Sequence, residues 1–247
     1  MMGVRNSWLN RVARPLAVSR GVVIGLLAMA FLIGGIRPAA ADDRLEARQL
    51  VDKAQFTLEN FLADENMGAL RDMMKKAHGV FIIPQLLKGA FVIGASGGSG
   101  VFLVRGEKGG QWSEPAFYTL GGVSFGLQAG GEAAEVVLLA MSERGVSAML
   151  KSTFKLGADA SIAVGPVGAG VGGATAALSA DIVAFTRAKG LYGGIALDGS
   201  VVAVRDDWNN AYYGKSVTPE DILVRRQVRN PESTRLINVV TRAVSAG

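Results

Sequence analysis

The chain has 247 residues, of which 49% are hydrophobic and 33 are glycines, so it can bury a sizeable core and is not intrinsically disordered. It contains no cysteine, which excludes disulfides, thiol catalysis and lipid attachment through a cysteine. The formal net charge is +5, but residues 1–41 hold five arginines and no acidic residue. Without this segment Lys+Arg falls from 26 to 21 and equals the 21 Asp+Glu, so the charge gives no indication of nucleic-acid binding.

Residues 1–41 have the pattern of a secretory signal peptide. A basic stretch ends at Arg20, an apolar run follows over residues 22–33, and Ala39-Ala40-Ala41 matches a cleavage site before Asp42. The alternative is a membrane anchor, but residues 21–36 are shorter than the roughly 20 residues that a span needs. We therefore predict cleavage after Ala41, a periplasmic or extracellular location, and a single domain over residues 42–247.

Two helices are predicted after the cleavage site. Apolar residues recur at helical spacing over residues 45–62, and a shorter helix follows over residues 67–77. The second helix has a basic face formed by Arg71, Lys75 and Lys76. Such amphipathic helices either cover a sheet of their own domain or lie on a membrane surface.

Residues 79–205 contain short hydrophobic runs separated by glycine, the pattern of strands and turns. Residues 80–83 predict a strand that ends at Pro84. Residues 91–95 and 101–105 flank Ser-Gly-Gly-Ser-Gly and predict a hairpin with its turn at 96–100. Further strands are expected at 112–120, 123–128, 135–141, 182–186 and 191–205, with a helix at 142–152 and a turn at Asp198-Gly199.

The C-terminal part returns to helical patterns. Asp207 is expected to cap a short helix that Gly214 ends, and Thr218 begins another helix with proline and two acids in its first turn. A final helix is expected over about residues 231–244. The fold class is therefore α+β, with a glycine-rich, mainly antiparallel β-sheet core and flanking N- and C-terminal helices. The core of the domain is expected at about residues 45–224.

Several catalytic motifs are present only in fragments. Ser96 and Ser124 lie in G-x-S-x-G strings, but His78, the single histidine, precedes both of them. Ser152 begins an S-x-x-K string without a K-T-G companion, and the glycines at 168–173 precede no helical stretch. One histidine without cysteine does not make a transition-metal site, and His78 is expected to be a partly buried structural residue. We predict no enzymatic activity and no cofactor.

An ordered set of motifs gives the clearest functional indication. The set lies at residues 79–84, 88–91, 97–100, 112–116, 121–122, 126–130, 165–168, 185–194 and 210–214. From about Leu45 to Val224 the chain resembles the SYLF domain family. The resemblance implies binding of phosphoinositide-rich membranes, as in eukaryotic members, actin binding, as in yeast actin-patch members, and no enzymatic activity. An exported protein is not expected to meet actin.

The resemblance and the charge pattern together suggest an anionic lipid membrane as the partner. Two basic patches are candidates for the headgroup contact: Arg71, Lys75, Lys76 and Lys88, or Lys151, Lys155, Arg187 and Lys189. Leu86, Leu87 and Phe91 offer apolar contact beside the first patch. The predicted function is non-catalytic binding of anionic phospholipid or phosphoinositide-type headgroups at a bacterial envelope. The alternatives are an envelope-assembly protein that binds another protein, and an unrecognised serine hydrolase.

Overall fold

The fold is organised around an antiparallel sheet whose central strands carry hydrophobic side chains on both faces. The computed structural model describes residues 40–90, 93–106, 110–125, 130–167, 177, 179–188, 191–192 and 197–245. The strands within them are β1 (Gly79–Ala90), β2 (Ile93–Val104), β3 (Ala116–Phe125), β4 (Gly130–Ala140), β5 (Thr153–Lys155), β6 (Ile162–Val164), β7 (Ile182–Ala188), β8 (Leu191–Tyr192) and β9 (Val201–Val204). Their order is β5-β9-β3-β2-β1-β4-β7-β6, and β8 also pairs with β7. Among these pairings, only that of β6 with β7 is parallel.

Helices precede, interrupt and follow this sheet. They are α1 (Ala40–Ala63), α2 (Gly68–Met74), α3 (Glu143–Met149), α4 (Asp206–Tyr213), α5 (Pro219–Leu223) and α6 (Thr234–Ser245), with 3-10 turns at Glu65–Met67 and Pro231–Ser233. The predicted α+β class, the mainly antiparallel sheet and the terminal helices are confirmed. None of the helices in the described part of the chain is both long and apolar enough to cross a bilayer. The signal peptide lies almost wholly outside the described residues, so it stays a prediction, as does the single-domain assignment.

Alternating side chains of the strands pack into two separate hydrophobic cores, one on each face of the sheet. Val80 and Ile82 of β1 pack against α1, α2, α4 and α6 on what we call the helix face. Phe81 and Ile83 point to the opposite face, which α3, α5 and β5 cover. There the rings of Phe81, Phe102 and Tyr118 meet edge to face, with centroids 5.9 to 6.4 Å apart, so we call it the aromatic face. Burial on both faces explains why these strands read as continuous hydrophobic runs.

Two predicted strand ends are wrong, and glycine is the reason. β1 continues through Pro84, with its register against β4 shifted between Ile83 and Leu86, and residues 96–100 lie inside β2 instead of forming a turn. A Cβ atom would stand 2.4 Å from Gln85 O at Gly98 and 2.5 Å from Ile82 O at Gly100. These glycines therefore let the irregular part of β1 approach β2 closely, rather than reversing the chain. Gly121-Gly122 likewise lies inside β3.

Local signals for helix ends were more informative. Thr218 and Asp221 form a reciprocal capping box at the start of α5, and Asn230 caps the turn that leads into α6. Gly214 ends α4 with a φ of 66°. Asp207 is in the first turn of α4 instead of capping it, and α1 carries Asp42 and Asp43 in its own first turn.

Candidate functional site

The far ends of β1 to β4, together with β9, present an uncovered sheet surface. Leu87 is 55% exposed, Val123 76% and Val201 40%. In the strand register Leu87 is opposite Gly97 and Ala133, and Gly121 is opposite Gly97 and Val201, so these side chains share one face. We call this surface the glycine face; it consists of Leu87, Gly89, Ala95, Gly97, Gly121, Val123, Gly131, Ala133 and Val201.

The glycine face is apolar, and most of its members are glycine or alanine. None of its nine members carries an ionisable or hydrogen-bonding side chain, and interstrand hydrogen bonds satisfy backbone groups of the ladder. A Cβ atom added at Gly89 or Gly131 would meet no atom within 4 Å, unlike one at Gly98 or Gly100. These two glycines of the glycine face are therefore not required by local packing, and their effect is to leave the surface smooth.

Helix α1 marks the border of the glycine face. It packs on β1 and β2, and Leu87 and Gly97 line a groove together with Gln49 and Lys53 of α1. Phe56 of α1 is 59% exposed and lines the adjacent groove with Ala133. The glycine face is thus the continuation of the helix face beyond the helix layer, with one aromatic and one basic side chain of α1 at its edge.

Arg187 lies at this border but is already engaged. Its Nε donates to Glu135 Oε2 at 2.7 Å, and its guanidinium stands 5.2 Å from the ring centroid of Phe61. The pair joins β7 to β4 directly beneath α1, where neither side chain is freely exposed. Arg187 therefore has a structural role, and a headgroup would have to compete with Glu135.

The first predicted basic patch is not assembled as one surface. Arg71 Nη1 donates to the carbonyl oxygens of Leu62 and Asp64, at 3.0 and 2.6 Å, and so closes the end of α1. Lys75 and Lys76 are exposed just after α2, next to the Gly79 end of β1, whereas Lys88 is nine residues further along β1. Since a strand rises about 3.3 Å per residue, Lys88 is about 30 Å from Gly79.

The second predicted patch is also divided. Lys151 pairs with Asp159 at 3.3 Å, and the backbone N–H of Lys155 donates to the same carboxylate at 2.7 Å. These hydrogen bonds, that of Lys155 first, hold the pKa of Asp159 below its usual range. β9, β3, β2, β1 and β4 separate Lys155 from Arg187 in the sheet order, and Lys189 lies outside the described residues.

One member of that patch does reach the glycine face. Lys155 is exposed and is opposite Val201 in the pairing of β5 with β9, so its side chain shares the face of Val201. Lys155 and Lys53 therefore stand on two sides of the glycine face. Lys88 is at the same end of the sheet on the aromatic face, opposite Glu132.

The single histidine, His78, is not close to Ser96, and the side chain of Ser124 lies outside the described part of the chain. His78 precedes the first residue of β1, while Ser96 pairs with Lys88 at the other end of that strand. His78 is exposed, not partly buried as expected, because the fold uses its backbone: its N–H donates to Ala140 O at 2.8 Å. Ser152 is exposed in the bend between α3 and β5. In the part of the chain that the structure describes, no group of acidic or histidine side chains is placed to hold a metal ion.

Sequence reasoning identified Leu87 and Lys155 but missed the rest of this surface. Val123 and Val201 read as ordinary strand residues, and Phe56 reads as part of an amphipathic helix. A usable signal was the clustering of glycine on both sides of Val123, together with Gly89 just after Leu87, which marks strand ends without packed side chains.

Comparison with known proteins gives a consistent set of relatives. A family model, Ysc84, described as "Las17-binding protein actin regulator", matches residues 121–243. SH3 domain-containing YSC84-like protein 1 of Xenopus laevis is 32% identical over 171 residues, which are 68% of this chain and 50% of the relative. Protein YSC84 of Saccharomyces cerevisiae is 31% identical over 173 residues, 68% of this chain and 36% of the relative. LAS seventeen-binding protein 3 of the same species is 32% identical over 164 residues, which are 65% of this chain and 35% of the relative.

The chain spans about half the length, or less, of these relatives. The family-model match begins inside β3 and extends into α6. It therefore includes Val123, Ala133, Lys155 and Val201, at or beside the glycine face, as well as the C-terminal helices.

Proposed function

Because the chain belongs to the SYLF family, to which the Ysc84 model corresponds, we propose that it is a non-catalytic protein that binds membranes containing anionic lipids. The headgroups are of the anionic phospholipid or phosphoinositide type, and the place of action is the surface of a bacterial envelope. The glycine face is the single observation on which this proposal depends. The N-terminal sequence pattern supports the location.

The chemistry of the glycine face suits hydrocarbon better than water. Its backbone polar groups are paired within the sheet, so contact with acyl chains leaves few of them unsatisfied. Moving Leu87 and Val123 out of water contributes up to about 3 kcal/mol each. A surface whose side chains carry no polar group offers little to a ligand that must be recognised by hydrogen bonds, but it suits the apolar part of a bilayer.

Basic side chains at the rim supply the preference for anionic lipid. Lys53 and Lys155 flank the glycine face. Each lysine near an anionic membrane contributes about 1 kcal/mol. This contribution falls with added salt, because exposed charges are screened over about 8–10 Å near physiological ionic strength.

The test is flotation of the purified protein with vesicles of phosphatidylcholine, with and without phosphatidylglycerol or phosphoinositides. We expect flotation with the anionic vesicles, weakened by salt. Val123→Asp should lower the bound fraction by about tenfold, because a carboxylate at the contact must enter the interface. Val164→Asp is the matched control, since Val164 is 47% exposed on β6, away from the glycine face. Equal loss in both variants, or no flotation of the unmodified protein, contradicts the proposal.

A protein partner is the second candidate, because the matched family model and the relative from yeast carry Las17 binding in their names. The glycine face would then contact another protein of the envelope. A defined partner that binds in lipid-free solution, with affinity lost in Val123→Asp but not in Val164→Asp, would favour this function over lipid binding.

Export and the absence of catalysis are parts of the proposal that have their own tests. Mass spectrometry of the exported protein should find Asp42 at its N-terminus, and an intact Met1 or Met2 would contradict cleavage. Fluorophosphonate and β-lactam probes should leave Ser96, Ser124 and Ser152 unlabelled. Stoichiometric labelling that disappears on replacement of one of these serines by alanine would favour a hydrolase.

A further inference from the structure

A groove lined by three arginines lies at the end of the sheet opposite the glycine face. It has a volume of about 840 Å³ and runs between Arg105, residues 110–114, residues 226–231 and one side of α6. We call it the arginine groove; its principal lining residues are Arg105, Trp112, Arg226, Val228, Arg229 and Ile237. It contains none of the residues that the sequence pattern nominated for binding.

Arg226 is fixed at the mouth of the groove by an unusual backbone. Its φ is 54°, the one left-handed conformation of a non-glycine residue in the described part of the chain. Its Nη2 donates to Gln111 O at 2.6 Å, and a Cβ atom at Gly106 would stand 2.7 Å from that nitrogen. Gly106 therefore leaves room for the guanidinium, which is anchored on one side.

Two residues that line the groove each carry a buried donor without an acceptor among the described residues. Arg105 Nη1 donates to Lys75 O at 2.8 Å, but Arg105 Nε is buried without a partner among the described residues. Trp112 is 5% exposed, lines the groove, and has a buried Nε1 without a partner in the same part of the chain. Buried donors of this kind are costly, and an acceptor placed in the groove would relieve that cost.

The described lining of the groove is positively charged, with three arginines and one glutamate. Arg105, Arg226 and Arg229 have no carboxylate within 4.0 Å among the residues that the structure describes. Glu114 is the acidic residue of the described lining, and its Oε2 accepts the Ser233 hydroxyl at 2.5 Å. Burial raises the pKa of Glu114, and Arg229 acts in the opposite direction.

We propose that the arginine groove binds a phosphate ester. Guanidinium groups bind phosphate oxygens through pairs of parallel hydrogen bonds, and the orphan N–H groups of Arg105 and Trp112 add donors of the same kind. Val228, Ile237 and Val244 line the groove as well and contact an apolar part of the ligand. Ala95 of the glycine face and Arg105 are ten residues apart along one extended chain, about 30 Å. The groove is therefore a second site, independent of the proposed membrane contact.

Nuclear magnetic resonance of the purified protein gives a direct test. The Trp112 indole N–H and Arg105 Nε–H resonances should move in a saturable manner when inorganic phosphate, glycerol 3-phosphate or dihexanoyl phosphatidic acid is added. Arg226→Gln and Arg229→Gln should each weaken binding by about tenfold, because each removes charge-assisted hydrogen bonds. Arg225→Gln is the matched control, since Arg225 pairs with Glu220 and Asp221 and does not line the groove.

The three ligands identify the source of the phosphate. Binding of dihexanoyl phosphatidic acid at least about tenfold tighter than glycerol 3-phosphate means that the apolar wall takes an acyl chain. Equal affinities mean a soluble phosphate ester, and both results support the site. Resonances that do not move, affinities unchanged in Arg226→Gln and Arg229→Gln, or equally tight binding of hexanoate each overturn it. Failure of vesicle flotation leaves this site unaffected, so the two proposals are tested separately.

Discussion

The two ends of β1 carry similar residues in opposite surroundings. At the Gly79 end, Val80 and Ile82 are fully buried beneath the helix layer. At the Ala90 end, Leu87 lies on the same face of the same strand and is 55% exposed. Hydrophobicity along a strand therefore does not distinguish a side chain that stabilises the fold from one that is available for binding. The distinction comes from where α1 crosses the sheet.

The largest expected effect tests this comparison within one strand. Ile82→Ala should lower the free energy of unfolding by about 2–5 kcal/mol, because it leaves a cavity in a closed core. Leu87→Ala should change it by less than about 0.5 kcal/mol. Urea unfolding measures both. A similar loss in the two variants would mean that the Ala90 end is packed and not an exposed binding surface.

Two glycines test the same comparison between a packed and an exposed part of the sheet. Gly100→Ala should destabilise the protein by about 1–3 kcal/mol, since its Cβ atom would stand 2.5 Å from Ile82 O. Gly131→Ala should be neutral or slightly stabilising, because nothing lies within 4 Å and alanine restricts the unfolded chain. Thermal unfolding compares the two. Destabilisation by Gly131→Ala would show that the glycine face needs its glycines for folding.

A smaller effect is expected at the border between the two ends. Glu135→Gln should lower stability by about 1–2 kcal/mol, because it weakens the partly buried pair with Arg187 beneath α1. Arg225→Gln removes an exposed pair and should cost less than about 1 kcal/mol. Chemical unfolding of both variants, with Arg187→Met for a double-mutant cycle, isolates the pair. An unchanged stability in Glu135→Gln would leave Arg187 available for a headgroup after all.

The smallest effect depends on pH and concerns Asp181, at the Gly79 end of the sheet. Hydrogen bonds, first from the Ser142 hydroxyl and then from Ser161, hold the pKa of Asp181 below its usual range. A carboxylate with a lowered folded-state pKa stabilises the fold above its unfolded pKa, about 3.9, and this stabilisation is lost as pH falls through the folded value. Asp181→Asn should therefore lower the free energy of unfolding at neutral pH. It should also make that free energy differ less between neutral and acidic pH. Urea unfolding measures this free energy. If it changes with pH as much in the variant as in the unmodified protein, Asp181 does not have this role.

The sequence predicted those parts of the fold that depend on local chemistry. The capping residues Thr218 and Asn230 and the terminal Gly214 act on their own turns, so their roles are readable without the fold. Glycines in residues 96–100 were misread as a turn, because a glycine that permits close strand packing looks the same as one that reverses the chain. That distinction requires knowledge of the neighbouring strand.

The binding surfaces were harder to predict, because they combine distant residues. Lys88 and Arg71 are close in sequence but lie at different ends of the sheet, while Lys155 and Val201 are far apart in sequence and adjacent in the ladder. The arginine groove unites Arg105 with Arg226 and Arg229 through tertiary packing alone. Charge patterns of single segments therefore identified basic side chains as candidates for binding, but they did not show which of these side chains lie together in the fold.

Helix α1 begins at Ala40, so the proposed cleavage after Ala41 falls within its first turn. This cleavage would remove Ala40 and Ala41 from the turn. Cleavage then creates an α-amino group at the positive end of the helix dipole, an unfavourable place for a cation. Asp42 and Asp43 are in that same turn and offset the new charge. The acids that begin α1 thus suit the N-terminus that the proposed cleavage would create.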